Sequence, residues 1–261
     1  MPIVTLTTDF GLRDHYVASM KGVILKIAPK ATLVDVTHEI GPHNVHQAAL
    51  VLDQVWDCYP AGTIHVAVVD PGVGTARRVL AGRYGGQILI APDNGLVSLV
   101  HRRVPVEEMR VADYKRLFGE PPSTTFHGRD IFAPIAGHLA RKGKLADLGP
   151  LTDHVQILQL PQPTFNADHS MTGEVVYVDR FGTLVTNMKR EDVALAYNRR
   201  PHAEVYVVDA RVGPVRATYS DVEPGSPVAL IGSSNSLEVA INQGSAAEHF
   251  KAAVGAAVHI R

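Results

Sequence analysis

Along its first hundred residues the chain alternates between two hydrophobic rhythms. Short apolar runs, of the kind that form strands buried on both faces, stand at 3–8, 31–36, 63–69 and 87–91. Between the first three, apolar residues recur at helical spacing. Val17, Met20, Val23, Ile24 and Ile27 precede Pro29, and a second helix is predicted over 44–58, ended by Pro60. Asp14 stands where it can cap the first of these helices. Strands alternating with helices predict a parallel, doubly wound sheet with right-handed crossovers.

Residues 101–122 are charged and Pro-containing and read as a surface excursion; an amphipathic helix is predicted over 131–141. From 151 to 172 the periodicity fades, two prolines intervene, and the stretch reads as a connection between domains. The division is set at 1–152 for an α/β domain, 153–172 for a linker and 173–261 for a β domain. In the last of these the period changes to two. Segments 173–179 and 184–188 flank Arg180-Phe181-Gly182-Thr183 as a hairpin, and short strands are predicted at 203–208, 216–219, 227–231, 237–241 and 256–260. Short strands divided by Gly, Pro, Asp and Asn turns predict a small antiparallel barrel or sandwich.

Composition narrows the class. Of 261 residues, 46% are hydrophobic, enough for a sizeable core and against disorder. The formal net charge is −1, so no global field recruits nucleic acid or an anionic membrane. No apolar run approaches the roughly 18 residues of a spanning helix. The segment MPIVTLTTDFG has no basic n-region and enters a strand almost at once, which is not the pattern of a signal peptide. The lone cysteine, Cys58, rules out an internal disulfide framework, suits a reducing cytoplasm, and is expected to be an inert, partly buried thiol.

The candidate chemistry lies where the predicted strands end. Asp9, His38, Asp70 and Asp93-Asn94 each follow a strand, and in a parallel sheet they collect along the carboxyl edge, where such sheets bind ligands. The most informative stretch is HVAVVDPGVGTARR, 65–78. It is a buried strand, a carboxylate at its end, a tight loop, and then two guanidiniums at Arg77 and Arg78. His38, His43 and His46 invite a metal reading. HEIGPH, however, misses the H-E-x-x-H spacing, and Gly41-Pro42 would break the helix that aligns two imidazoles. No metal and no cofactor are expected. GVGTARR matches neither phosphate-binding glycine pattern. His127 stands just before a helix N-terminus, whose dipole favours a neutral imidazole. In the second half, Asp179, Phe181, Tyr219 and the turn Gly232-Ser233-Ser234-Asn235 offer a carboxylate, aromatic faces and backbone donors.

Seven segments, TLTTDFGLRDHYVASMKG, VDVTHEI, VVDPGVGTARR, LIAPDNGL, TFHGRDIFAP, GEVVYVDRFGTLVTN and GSSNSLEVAINQGSAA, run in order from residue 5 to about 247. Together they resemble the S-adenosylmethionine hydroxide adenosyltransferases, or S-adenosylmethionine hydrolases, relatives of the enzymes that make 5′-fluoro- and 5′-chloro-deoxyadenosine. The resemblance implies an α/β N-terminal domain with a mainly parallel sheet, plus a smaller antiparallel β-barrel C-terminal domain. It also implies a homotrimer with substrate held between the N-terminal domain of one subunit and the C-terminal domain of the next. The family's catalytic set falls on Asp70, Arg77 and His127, and its ribose-diol carboxylate on Asp9. Asp14, Asp179, Ser233 and Ser234 fall where the methionine head is held; Phe181, Tyr219 and Asn242 fall near the adenine. His43, Asp93, Asn94, Gly128 and Asn187 complete the candidate substrate contacts. The turn after Gly182 departs from the family, with Thr183 in place of its usual Asn.

The implied reaction is attack of water or hydroxide at C5′ of S-adenosylmethionine, giving adenosine and methionine. The sulfonium supplies a neutral thioether leaving group, and a low-dielectric site favours the charge recombination. Asp70, beside a guanidinium, is expected to aim the water more than to deprotonate it. Arg77 would stabilise developing hydroxide, and His127 would orient the water or accept its proton. Two alternatives stand beside this: a chloride- or fluoride-using relative, with the halide in space left by Gly128, and a non-catalytic S-adenosylmethionine- or adenosine-binding protein.

Overall fold

The computed structural model describes residues 1–119 and 123–261. The chain divides into two compact units, Met1–Gln159 and Leu160–Arg261. Each has its own hydrophobic interior.

The first unit is built on six strands: β1 (Ile3–Thr8), β2 (Thr32–Thr37), β3 (Ile64–Val68), β4 (Val79–Tyr84), β5 (Gln87–Pro92) and β6 (Val106–Val111). Their order is β2-β1-β3-β5-β4-β6. β2, β1, β3 and β5 run parallel, whereas β4 runs antiparallel to both of its neighbours. The sheet is therefore mixed, not wholly parallel. The sequence carries the reason at Gly85-Gly86. Both glycines have positive φ, at 54° and 78°, and they join the paired residues Tyr84 and Gln87 in a two-residue hairpin turn.

Alternate residues of the strands face opposite sides of the sheet. Val66, Val68 and Ile90 bury against α1 (Tyr16–Ile27) through Met20 and Ile24. Ala67, Val69 and Leu89 bury against α2 (Val45–Trp56) through Leu52 and Trp56. Helices on both faces explain why these strands read as continuous apolar runs. Each large side chain fully buried this way stabilises the fold by about 1.5–3 kcal/mol. Asn44 caps α2, its side-chain oxygen accepting the Gln47 N–H at 2.9 Å. α1 begins after His15 with no side-chain cap, so Asp14 does not take the capping role expected of it.

The stretch expected to be a surface excursion instead holds the end of α3 (Ser98–Arg103), β6 and α4 (Tyr114–Phe118). Positions 120–122 of it lie outside the described residues. β6 is an edge strand, VEEMRV, and its outward glutamates disguise it as loop. The amphipathic helix near 131 begins with a π-turn, Gly128–Phe132, and continues as α5 (Ala133–Ala140). Cys58 is exposed, not partly buried.

The second unit contains β7 (Thr164–Phe165), β8 (Met171–Val178), β9 (Leu184–Lys189), β10 (Val205–Val207), β11 (Ala210–Gly213), β12 (Val215–Arg216), β13 (Pro227–Ile231), β14 (Ser236–Ile241) and β15 (Ala257–Ile260). The order is β11-β10-β15-β8-β9-β14-β13-β12, with β7 on β8, and β11 also lies against β13, so the sheet is nearly closed and barrel-like. Its pairs are antiparallel except β12 with β13. β7 and the start of β8 fall inside the stretch expected to be linker. A helix over Arg190–Arg199 interrupts the predicted run of strands; its buried residues are Val193 and Ala196.

Among the described residues, no helix is long and apolar enough to cross a membrane.

Candidate active site

At the carboxyl edge of the first sheet lies a cleft of about 310 Å³. The ends of β1 and β3 supply Asp9 and Asp70, the loop after β2 supplies His43, and the approach to the π-turn supplies Phe126, His127 and Gly128. Phe10, Tyr16 and Phe126 form an aromatic wall, with Tyr16 and Phe126 edge-to-face at 5.0 Å.

The three residues expected to be catalytic are in direct contact. Arg77 Nε donates to Asp70 Oδ1 and Oδ2 at 3.0 and 2.9 Å, and its Nη2 donates to Asp70 Oδ2. The same Nη2 donates to His127 Nδ1 at 2.7 Å, and the guanidinium carbon lies 5.4 Å from the centre of the Phe132 ring. The side chains of Asp70 and Arg77 are only 5% and 9% exposed, so water screens the pair weakly. A guanidinium has no acceptor, so Nδ1 of His127 must carry a lone pair, and the proton of the neutral ring sits on Nε2. Burial pushes the His127 pKa below its ordinary value, and the Arg77 charge lowers it further; Asp70 and Asp130 oppose this more weakly. The neutral ring expected from the sequence is thus held by burial and Arg77. While Arg77 occupies Nδ1, the ring presents a donor and is not free to accept a proton.

Asp9 Oδ2 accepts the backbone N–H of His43 at 2.9 Å. His43 has a φ of 64°, so this contact holds an uncommon backbone conformation. Asp9 Oδ1 has no partner among the described residues and remains open to the cleft.

Several expected contacts have other employment. Asp14 is exposed and does not line the cleft. Asp93 is buried, with its oxygens taken by Arg78 and the backbone N–H of Gln156. Asn94 donates to the carbonyl of Val69 and accepts from Leu96. His38 bonds Thr8 through Nδ1 at 2.8 Å and lies 3.0 Å from Asp35 through Nε2. Gly128 lines the cleft, and the direction a side chain would take from it is crowded. A Cβ there would stand 3.0 Å from the Phe10 ring and 3.2 Å from the sulfur of Met20.

In the second unit, Asp179 Oδ1 accepts the N–H groups of Phe181 and Thr183 at 2.9 and 2.8 Å, closing the turn and leaving Phe181 78% exposed. Asn187 and Asn242 are committed locally. The first bridges Glu174 N–H and the carbonyl of Pro161; the second donates to the carbonyl of Val222. Ser233 is exposed. Ser234 and Tyr219 each place a hydroxyl 3.4 Å from a carboxylate oxygen of Glu238. Sequence reasoning missed Glu238. Its signal was a lone carboxylate inside the buried strand SLEVAI. Burial pushes the Glu238 pKa up and Asp179 adds to the rise, against the two hydroxyls.

Two family models match this chain. The SAM hydroxide adenosyltransferase N-terminal domain covers residues 4–149 and the C-terminal domain covers residues 173–259. The chain belongs to the SAM hydroxide adenosyltransferase family. A relative from Salinispora tropica named (R)-S-adenosyl-L-methionine hydrolase is 37% identical over 95% of this chain and 93% of its own length. One of the same name from Thermus thermophilus is 39% identical over 94% of each chain. A more distant family relative, from Nocardia brasiliensis and named Fluorinase, is 27% identical over 100% of this chain and 97% of its own. Among solved structures, an uncharacterized conserved protein from Thermotoga maritima superposes with a TM-score of 0.89 at 34% identity, covering 100% of this chain and 99% of that one.

Proposed function

We propose that this protein hydrolyses S-adenosyl-L-methionine to adenosine and L-methionine. A water oxygen attacks C5′, the C5′–S bond breaks with its electron pair passing to sulfur, and one proton is released as the sulfonium charge disappears. The observation that carries this reading is the connected Asp70–Arg77–His127 set, of which Asp70 and His127 line the cleft. The relatives named as hydrolases of the same substrate support it.

In this mechanism Asp70 is the acceptor that aims the water more than it deprotonates it, and the released proton passes to solvent as charge recombines. Arg77 holds the carboxylate and the imidazole through one guanidinium. His127, neutral and donating from Nε2, fixes the second lone pair of the water. The aromatic wall keeps the local dielectric low, which strengthens each of these interactions. Asp9, with Oδ1 open, suits the ribose diol. Asp179, Phe181, Tyr219, Ser233, Ser234 and Glu238 are the second unit's contribution to the nucleotide and the methionine head, and a homotrimer belongs to the same proposal. Light scattering at the mass of three chains would support the trimer.

The test is incubation with each sulfur epimer of S-adenosylmethionine in ¹⁸O-labelled water, with and without chloride, followed by mass spectrometry. Adenosine carrying ¹⁸O is the expected product. A 5′-chloro nucleoside would assign the protein to the halide-using reaction, and tight binding without turnover would make it a binding protein.

A further inference from the structure

The loop that carries Asp70 and Arg77 does not pass between neighbouring strands. It leaves the end of β3 and enters β4, and β5 lies between them in the sheet. Because β4 runs antiparallel, its start lies at the same edge as the ends of β3 and β5. The loop is therefore an arch over the end of β5, and the two residues beneath it are Asp93 and Asn94.

Each of these holds one foot of the arch. Asn94 Nδ2 donates to the carbonyl of Val69 at 2.9 Å, immediately before Asp70. Asp93 Oδ2 accepts from Arg78 Nε at 2.8 Å and from Arg78 Nη2, immediately after Arg77. The Asp93 N–H also donates to the Arg78 carbonyl at 3.0 Å. The anchor is itself braced: Asp93 Oδ1 accepts the Gln156 N–H at 2.8 Å, and Arg78 Nη2 donates to the carbonyl of His154 at 2.6 Å. With a side-chain exposure of 3%, Asp93 is shielded from solvent, whereas Arg78 is 36% exposed at the rim. Neither Asp93 nor Asn94 lines the cleft.

We propose that Asp93 and Asn94 are positioning residues, which pin both feet of the 70–77 arch from the end of β5 and so set the separation of Asp70 and Arg77 from the attacking water. The proposal rests on the reading of Asp70, Arg77 and His127 as the reacting set. An attack geometry tolerates little displacement, so a loosened arch costs turnover more than binding.

The experiment compares Asp93→Asn, Asn94→Asp and Arg78→Lys with Asp70→Asn and the parent protein. It measures kcat and KM for S-adenosylmethionine, Kd for adenosine, and deuterium uptake of the peptide covering 70–78. Asn94→Asp sets a carboxylate oxygen against the Val69 carbonyl; Arg78→Lys keeps the charge but loses the fork, and carries the test if Asp93→Asn does not fold. The expected result is a fall in kcat of about tenfold or more, with KM and the adenosine Kd within about threefold and faster exchange confined to 70–78. Parental kcat in the three anchor variants alongside an impaired Asp70→Asn would overturn the anchors and leave the reacting set intact. Parental kcat in Asp70→Asn would overturn both. A matching loss of adenosine binding in the anchor variants would mean that these residues touch the ligand, and would also overturn the proposal.

Discussion

Arg77 Nη2 lies 2.7 Å from His127 Nδ1, and this single contact decides where the imidazole proton sits. With Nδ1 accepting, the neutral ring donates from Nε2, and protonating it requires a hydrogen on the atom that faces a guanidinium. Burial and that same charge lower the His127 pKa. The sign follows: the working neutral form is complete above the ordinary value of 6.5 and is lost only as pH falls through the lowered folded value. In a pH profile of kcat/KM, the limb due to His127 should therefore lie below 6.5. A limb above that value, absent in His127→Ala, would refute the assignment.

Asp70→Asn and Arg77→Ala should each slow turnover by more than about tenfold, or about 1.4 kcal/mol of barrier, with substrate binding largely kept. The two differ in stability. Arg77→Ala strands a buried carboxylate, a loss of about 3–5 kcal/mol for a buried pair, whereas Asp70→Asn retains an acceptor for the guanidinium. Thermal melts should rank Arg77→Ala well below Asp70→Asn. Parental rates in both variants would remove the set from the mechanism.

Asp9→Ala should weaken both adenosine and S-adenosylmethionine by about tenfold to a hundredfold, since a hydrogen bond to a charged group is worth about 1.5–3 kcal/mol. Calorimetry with adenosine isolates the ribose contribution. Unchanged affinity would put the diol elsewhere.

Gly128→Ser tests the halide reading directly. A side chain there meets Phe10 and Met20, so overpacking should destabilise the protein by about 1–3 kcal/mol. Chloride should leave the products of the parent protein unchanged. A chlorinated product from the parent would mean that a halide finds room despite the tight contacts at this glycine.

Glu238 gives a prediction of opposite sign to that of His127. Its folded pKa is raised by burial and by Asp179. Its contribution to stability is therefore complete below the ordinary value of 4.5 and is lost as pH rises through the raised folded value. Glu238→Gln should remove this decline, so the difference in melting temperature between variant and parent should grow in the variant's favour from pH 4.5 to 7. A difference independent of pH would show that the carboxyl does not titrate as its burial requires.

Much of the first unit was legible because strands buried on both faces leave unbroken apolar runs, and β1, β2, β3 and β5 were found within a residue or two of their ends. β4 escaped because VLAGRY was assigned to no element, although Gly85-Gly86 between two apolar runs is a hairpin signal. β6 escaped because an edge strand shows charge on its outer positions. The meeting of Asp70, Arg77 and His127 was legible through the family motifs, and the strand-end rule brought Asp9 and Asp70 to one edge. The same rule over-assigned Asp93 and Asn94, which share the edge but turn inward to hold backbone. Which strand-end residues face the cleft depends on the antiparallel placement of β4, and that was not visible in the run of residues.

The sequence distances within the reacting set differ sharply: Arg77 is seven residues from Asp70 and 50 from His127. Closing the longer loop costs about 1.7 kcal/mol more in chain entropy, by the logarithm of the two lengths. The acid–guanidinium pair is therefore closed within one short arch, whereas the imidazole reaches the same guanidinium across a far longer loop and holds the segment after Thr124 against that arch.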